Sequence, residues 1–308
     1  MEKQKNAVSI ENFEEGIKMS SPMSLDRRRE KSAYDYFLGL GDSFIDSLAS
    51  GKSPFLPNND GFVDLQPAYN INNNTKSQGL TQIVLLTKAA ELEVPSTGFV
   101  TFETVKNAQS DGVECKVIKG SKGAVIPVIE ENDWSKIKFK NTWFNISQIE
   151  NSENLIAYCK EKMTEQYEKD VQYIKEHYPN STYKEKKNPA DFVMSKPNEK
   201  IVPLNEKTRE PFEYLAQVLN AVQTGRKLYV SPEQAETFKT KAIELLSAEY
   251  QPGKRDVMAF KKLCTSAEKL YLTNKKHLEM YQQKEKQKQG KSVEKEARTK
   301  EPSYEIGM

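Results

Sequence analysis

The chain has 308 residues, a length that suits two modest domains with additional tails. Its 46 basic residues nearly balance 44 acidic ones, and the net charge of +2 excludes the strongly basic composition of a histone-like protein. Three widely spaced cysteines indicate reduced thiols and predict a cytoplasmic protein. Because no stretch reaches about 18 consecutive apolar residues, and no signal peptide is recognisable, we expect no membrane contact.

The N-terminal half begins with polar residues and continues with helix signals. Residues 1–30 are polar and predict a flexible arm. Apolar residues at three- and four-residue spacing then predict a helix that ends near Gly51. A second helix is predicted over residues 80–90, and Thr101 is a candidate N-cap for a third helix over residues 102–109.

After Gly112 the pattern changes to strands. Alternation over residues 113–117 and an apolar run over residues 124–129 predict two strands, joined as a hairpin by the glycine-containing segment 119–123. A third strand is predicted over residues 140–146. Residues 31–150 are therefore predicted to form an α+β domain of helices followed by a small antiparallel sheet.

The C-terminal half is highly charged and has helical periodicity. One helix is predicted to begin at Thr208, and a second begins with Ser231 as N-cap and Pro232 at the first helical position. Residues 151–280 are therefore predicted to form a mainly α-helical domain, and the polar segment 281–308 a disordered tail.

The residue patterns that enzyme sites need are missing. The chain has two histidines, His177 and His277, and neither belongs to an HExxH motif or to another pair with metal-ligand spacing. The sequence also lacks the glycine-rich GxxxxGK[ST] and GxGxxG motifs that hold nucleotides. We therefore expect no enzyme activity, no metal and no other cofactor, and metal-dependent cleavage by the purified protein would contradict this expectation.

Two segments combine cations with flexible backbone. Lys119 and Lys122 surround a turn whose glycines let backbone N–H groups approach a phosphate, although lysines at a turn can also serve solubility alone. Tyr69 and Asn70 lead into an asparagine-rich loop that ends at Thr75-Lys76. This mixture suits contacts to phosphates and bases, and turn geometry alone also explains asparagine-rich loops.

The third segment is the aromatic strand that contains Trp143. Stacking of bases on aromatic rings is the usual way to hold single strands. Alternation places Trp143 and Asn145 on one face of the strand and Phe144 and Ile146 on the other. Either one of these faces is open for stacking, or both aromatic rings pack inside the protein.

The order of these segments resembles the N-terminal single-stranded-DNA-binding domain of the ArdC family of antirestriction proteins. The resemblance covers about residues 33–150 and consists of SGKSPF, PAYNINNNTKSQGLTQIVLL, FVTFETVKNAQSDG, KVIKGSKGAVIPV and FNISQIE, in this order. It implies a module that binds single-stranded DNA without sequence specificity and accompanies the DNA of plasmids and other mobile genetic elements during transfer. The binding residues that it implies are Tyr69, Asn70, Thr75, Lys76, Lys119, Lys122, Trp143, Asn145 and Gln148.

The chain departs from this family in several respects, including Ser77-Gln78-Gly79, which lacks the family's tyrosine, and Thr81, which stands where the family usually has asparagine. Thr75-Lys76 stands where the family has Thr-Gly, and the metalloprotease domain with HExxH that often follows in the family has no counterpart here. Two functions therefore remain open. The first is an accessory protein of antirestriction type whose partner is single-stranded DNA. The second is a protein-interaction component, either a host-defence inhibitor or a conjugation-complex subunit, whose helical C-terminal region binds a host or transfer-machinery protein.

Overall fold

The computed structural model describes residues 25–94, 97–129, 137–178, 188–191 and 200–298. Within this part, the helices are α1 (Leu25–Ala49), α2 (Gly79–Glu91), α3 (Phe102–Ser110), α4 (Ser152–His177), α5 (Pro211–Thr224), α6 (Pro232–Ser247) and α7 (Ala259–Arg298). The strands are β1 (Phe62–Val63), β2 (Tyr69–Asn70), β3 (Thr75–Lys76), β4 (Gly98–Thr101), β5 (Lys116–Val117), β6 (Ala124–Ile129), β7 (Ile137–Asn145), β8 (Ile149–Glu150), β9 (Ile201–Pro203), β10 (Lys227–Tyr229), β11 (Glu249–Gln251) and β12 (Lys254–Arg255). The predicted α+β fold class, with a mainly helical C-terminal region, is confirmed.

Five strands form a central mixed sheet in the order β3-β2-β4-β7-β6. The pair β2–β4 is parallel, and the other neighbouring pairs are antiparallel. Apolar residues cover both faces of this sheet. Phe99 and Trp143 lie on the face that packs against residues of α1, α2, α5 and α7. Val100 and Phe144 lie on the opposite face, in a second core with residues of α3 and α4.

The predicted hairpin across residues 119–123 is wrong. Strand β5 pairs with β8, whereas β6 pairs with β7, and the segment between β5 and β6 therefore connects two different sheets. The two flanking strands themselves were predicted, although β5 is shorter than residues 113–117. Alternation of apolar and polar residues indicates a strand, but it does not show which other strand supplies the hydrogen bonds. Here the partner of β5 follows 32 residues later in the chain, since Val117 lies opposite Ile149.

Packing crosses the predicted domain boundary at residue 150. Strand β1 pairs with β10, and the buried hydroxyl of Tyr214 on α5 donates to the carbonyl oxygen of Phe55 at 2.8 Å. One apolar core therefore contains residues from both sides of the boundary. The reason is that α7 packs against both α5 and α2, and the buried apolar side chains of α5 belong to this core.

The structure describes a part of each predicted terminal segment. Helix α1 begins at Leu25, inside the predicted arm 1–30, and residues 1–24 lie outside the described part of the chain. Helix α7 continues to Arg298, inside the segment 281–308 in which we predicted disorder, and residues 299–308 lie outside the described part. Lys, Glu and Gln are frequent in this last segment, and their high helix propensity favours a helix.

Two of the three predicted helix starts are confirmed. The Thr101 side chain accepts a hydrogen bond from the backbone N–H of Thr104, and Ser231 accepts one from Gln234. Thr208 does not begin a helix. Helix α5 begins three residues later at Pro211, and the Thr208 hydroxyl instead accepts a hydrogen bond from Gln217 at 2.6 Å.

In the part of the chain that the structure describes, no helix has both the length and the apolar composition needed to cross a membrane.

Candidate nucleic-acid interface

The loop between β5 and β6 is held in place by Gln148. The backbone carbonyl of Gln148 accepts a hydrogen bond from the N–H of Ile118 at 2.9 Å, and its side-chain amide donates to the carbonyl oxygen of Lys122 at 3.3 Å. Gln148 thus binds both ends of residues 118–122, which we call the lysine loop. A tight turn closes the loop, because Ser121 N–H donates to the carbonyl oxygen of Ile118.

Gln148 is itself fixed by a short 3₁₀ turn, Ile146–Gln148, that follows β7. Its side-chain oxygen accepts a hydrogen bond from the backbone N–H of Asn145 at 3.0 Å, and the Asn145 side chain accepts one from Ser147 N–H. This reciprocal pair is a capping box. Asn145 is fully buried and Gln148 is 5 % exposed, so neither side chain can reach a ligand on the surface. The predicted FNISQ residues therefore position the lysine loop.

The two predicted cations of the lysine loop lie on the surface. Lys119 and Lys122 are both exposed, and neither forms an ion pair with a described residue. The neighbouring Lys116 differs, because its ammonium pairs with Glu150 at 2.9 Å and this contact raises its pKa. The loop therefore presents two positive charges that no described acidic residue neutralises, on a backbone that internal hydrogen bonds have already ordered.

An exposed aromatic ring lies beside this loop. Phe102, at the start of α3, is 41 % exposed, and its ring centroid lies 6.1 Å from that of Phe144. Phe144 in turn packs closely against Gly123, where an added Cβ would stand 3.0 Å from its Cζ atom. Since Gly123 directly follows Lys122, one buried ring separates the exposed Phe102 ring from the lysine loop.

A third cation belongs to the same surface. The ammonium of Lys106, one helical turn after Phe102, stands 5.0 Å from the centroid of the Phe102 ring. Lys106 is exposed. We call Phe102, Lys106, Lys119 and Lys122 the candidate surface. It combines positive charge for phosphates with one open ring for a base.

The sequence-based prediction did not single out Phe102 or Lys106. The signal was present, because an aromatic residue at the first position of a helix with a lysine four residues later places a ring and a cation side by side on the helix surface. The exposure of the ring could not be predicted, since it depends on where the lysine loop and β7 lie relative to α3.

The four predicted residues of the asparagine-rich loop form a separate ribbon. Strand pairing places Tyr69 opposite Lys76 and Asn70 opposite Thr75. Asn70 and Thr75 are engaged in the turn, since the Asn70 side chain accepts from Asn72 N–H and the Thr75 hydroxyl donates to Asn73. Strand β4 lies between β2 and β7, so Tyr69 and Asn70 are two strand spacings, about 10 Å, from the predicted residues of β7, and Thr75 and Lys76 are one spacing further away.

Tyr69, Lys76 and Trp143 are only partly accessible. The Lys76 ammonium donates to the carbonyl oxygen of Gln223 at 3.0 Å, and partial burial lowers its pKa. Burial raises the pKa of the Tyr69 phenol. Trp143 packs half-buried against the larger core, while Phe144 is buried in the smaller one. The predicted alternation of this strand is therefore confirmed, and of its two open alternatives the structure has both aromatic rings packed.

The described residues contain no group of three or more His, Cys, Asp or Glu side chains arranged to hold a metal ion. His177 stacks on Tyr173 with 4.1 Å between ring centroids. The three cysteines are buried, and burial raises the pKa of Cys159 to about 11. A thiol with such a pKa is almost entirely protonated at neutral pH and is a poor nucleophile.

No family model and no curated protein matches the chain. Among solved structures, the chain aligns with the metal-free crystal structure of the antirestriction protein ArdC from the R388 plasmid. The alignment covers 76 % of this chain and 94 % of that chain, with 13 % sequence identity and a TM-score of 0.36. The similarity between the two structures is distant.

Proposed function

We propose that the protein binds single-stranded DNA without sequence specificity and serves as an accessory protein of antirestriction type for a mobile genetic element. The observation that carries this proposal is the candidate surface, in which the Phe144 ring contacts both the exposed ring of Phe102 and Gly123, the residue after Lys122. The order of the sequence motifs supports the same class of function. In this proposal the protein is cytoplasmic, performs no chemistry and needs no cofactor.

The physical basis is a division of roles. Lys106, Lys119 and Lys122 would bind backbone phosphates, and the fixed backbone of the lysine loop loses little conformational entropy on binding. Phe102 would stack on one base. Stacking tolerates any sequence because every base has a π face, whereas reading a sequence would require fixed polar groups aimed at base edges along the whole surface.

The salt dependence of binding tests this proposal. Each phosphate contact on a single strand lowers the slope of log affinity against log salt by about 0.7, so three lysines predict a slope of about −2.1. Between 50 and 200 mM salt, affinity should then fall about 18-fold. In the double variant Lys119→Gln/Lys122→Gln one contact remains, the slope should be about −0.7, and the fall about threefold.

Fluorescence anisotropy with a labelled twelve-nucleotide oligonucleotide gives these slopes directly. A matched control is Lys52→Gln/Lys207→Gln, which removes two exposed lysines from other parts of the structure and should keep the original slope. If the full-length protein binds no oligonucleotide, the proposal is wrong. If both double variants have the same slope, binding does not use the lysine loop.

A second candidate function is binding of a partner protein through α7. Leu272 is 45 % exposed and Met280 is 40 % exposed on this helix, which places two large apolar side chains in solvent outside the candidate surface. The double variant Leu272→Lys/Met280→Lys should abolish capture of a host or transfer-machinery protein without changing DNA affinity. Capture that persists in this variant would argue against a role of α7.

A further inference from the structure

A cleft of about 220 Å³ lies between α1, α2, α7 and the start of β6, and the Phe144 ring that Phe102 contacts lies on the opposite face of the central sheet. Its apolar part is formed chiefly by Tyr36, Phe44 and Phe260. The volume is below the 300–1,000 Å³ that is typical of pockets for drug-sized ligands, and therefore suits a fragment of about one aromatic ring system.

The polar side of the cleft is formed by three residues that are already connected. Ser43 donates a hydrogen bond to one oxygen of Glu91 at 2.9 Å, and the Lys88 ammonium pairs with the other oxygen at 2.9 Å. A carboxylate has about four acceptor sites, so Glu91 retains capacity to accept from a ligand. The ion pair neutralises Lys88, and the cleft therefore suits an uncharged ring better than a phosphate.

Gly123 connects the cleft to the packing beneath the candidate surface. Gly123 lines the cleft and also contacts Phe144, the ring against which Phe102 lies. Lys122 is the preceding residue, and consecutive Cα atoms are about 3.8 Å apart. A phosphate that contacts Lys122 is therefore held by the neighbour of a residue that lines the cleft.

We infer that this cleft binds one unstacked nucleobase of the single strand, with the exocyclic amino group of the base donating a hydrogen bond to Glu91. The inference rests on the proposed function and adds a base preference to it at one position. Cytosine presents an amino group, which can donate to Glu91, where thymine presents the acceptor O4, which cannot. Cytosine should therefore be preferred over thymine.

Competing homopolymers test this preference in the full-length protein. We expect labelled dC12 to bind about fivefold more tightly than dT12, a modest ratio because Glu91 lies at the partly exposed mouth of the cleft. Glu91→Met should bring the ratio close to one. The ratio is the informative quantity, because the unpaired Lys88 of this variant strengthens binding of both oligonucleotides alike. The control Glu244→Met, at an exposed position of α6, should keep the fivefold ratio.

Each outcome has a distinct meaning. Equal binding of dC12 and dT12 by the unsubstituted protein, or an unchanged ratio in Glu91→Met, overturns the base-binding cleft and leaves the proposed function intact. Absence of binding to either oligonucleotide overturns both.

Photo-crosslinking provides a second measurement that needs no substitution. An oligonucleotide containing one 5-iodo-deoxycytidine should crosslink to Tyr36 on irradiation, and mass spectrometry of the digested adduct should locate the modified residue. Crosslinks at Phe102 without any at Tyr36 would show that bases stack on the surface but do not enter the cleft, and would overturn the inference.

Discussion

The isosteric substitution Gln148→Met separates a positioning role from a direct DNA contact. It removes the acceptor for the buried N–H of Asn145 and the donor to the carbonyl oxygen of Lys122. An unsatisfied buried N–H costs about 1–3 kcal/mol, and the second hydrogen bond contributes about 1 kcal/mol. The free energy of unfolding should therefore fall by about 2–4 kcal/mol.

Urea denaturation followed by circular dichroism measures this loss. With a denaturant slope of about 3 kcal/mol per M, the midpoint should decrease by about 0.7–1.3 M. DNA affinity should decrease as well, because the lysine loop loses the side-chain hydrogen bond that holds its C-terminal end. The control Ser147→Ala changes an exposed side chain of the same 3₁₀ turn and should alter neither quantity.

One pattern of results would refute this reasoning. If Gln148→Met unfolds at the same urea concentration as the unsubstituted protein but loses most of its affinity for DNA, then Gln148 contacts the ligand directly. The sequence-based assignment of Gln148 as a binding residue would then be right, and its buried position in the structure would not describe the bound state.

Two further substitutions test the candidate surface and the packing beneath it. Phe102→Ala should weaken oligonucleotide binding by about 1–3 kcal/mol, the contribution of one stacked base, whereas Tyr229→Ala, which removes a ring of similar exposure elsewhere, should leave affinity unchanged in the same anisotropy titration. Gly79→Ala should destabilise the protein by at least about 1 kcal/mol more than Gly112→Ala in urea denaturation. Both glycines have positive φ, but only at Gly79 would the added Cβ meet the Glu268 carboxylate. Equal losses of stability in the two variants would show that the Glu268 side chain moves aside.

The helices could be predicted because their signals are local. Thr101 and Ser231 accept hydrogen bonds from backbone groups three residues away, and both contacts are encoded within one turn of sequence. The strands β6 and β7 were also predictable from composition. The partners of β5 and β1 were not predictable, because the partner of β5 lies beyond β7 in the chain and the partner of β1 lies in the C-terminal half.

The candidate site was predictable only in part. Lys119 and Lys122 belong to a turn with lysines and glycines, and residues of this composition are exposed in most folds. The side chains of Asn145 and Gln148 can form hydrogen bonds with a base or with a backbone group. The sequence alone does not show that Gln148 is already bonded to the buried N–H of Asn145 and to the carbonyl oxygen of Lys122. Phe102 required knowledge of a contact between α3 and β7.

The most direct test of the central claim compares single-stranded and double-stranded oligonucleotides of the same sequence, titrated into the full-length protein at one salt concentration. If Phe102 and the lysine loop hold an unpaired strand, the single strand should bind at least about tenfold more tightly, because the bases of a duplex are stacked on each other and cannot cover the ring. Equal affinity for both forms, or tighter binding of the duplex, would contradict the claim.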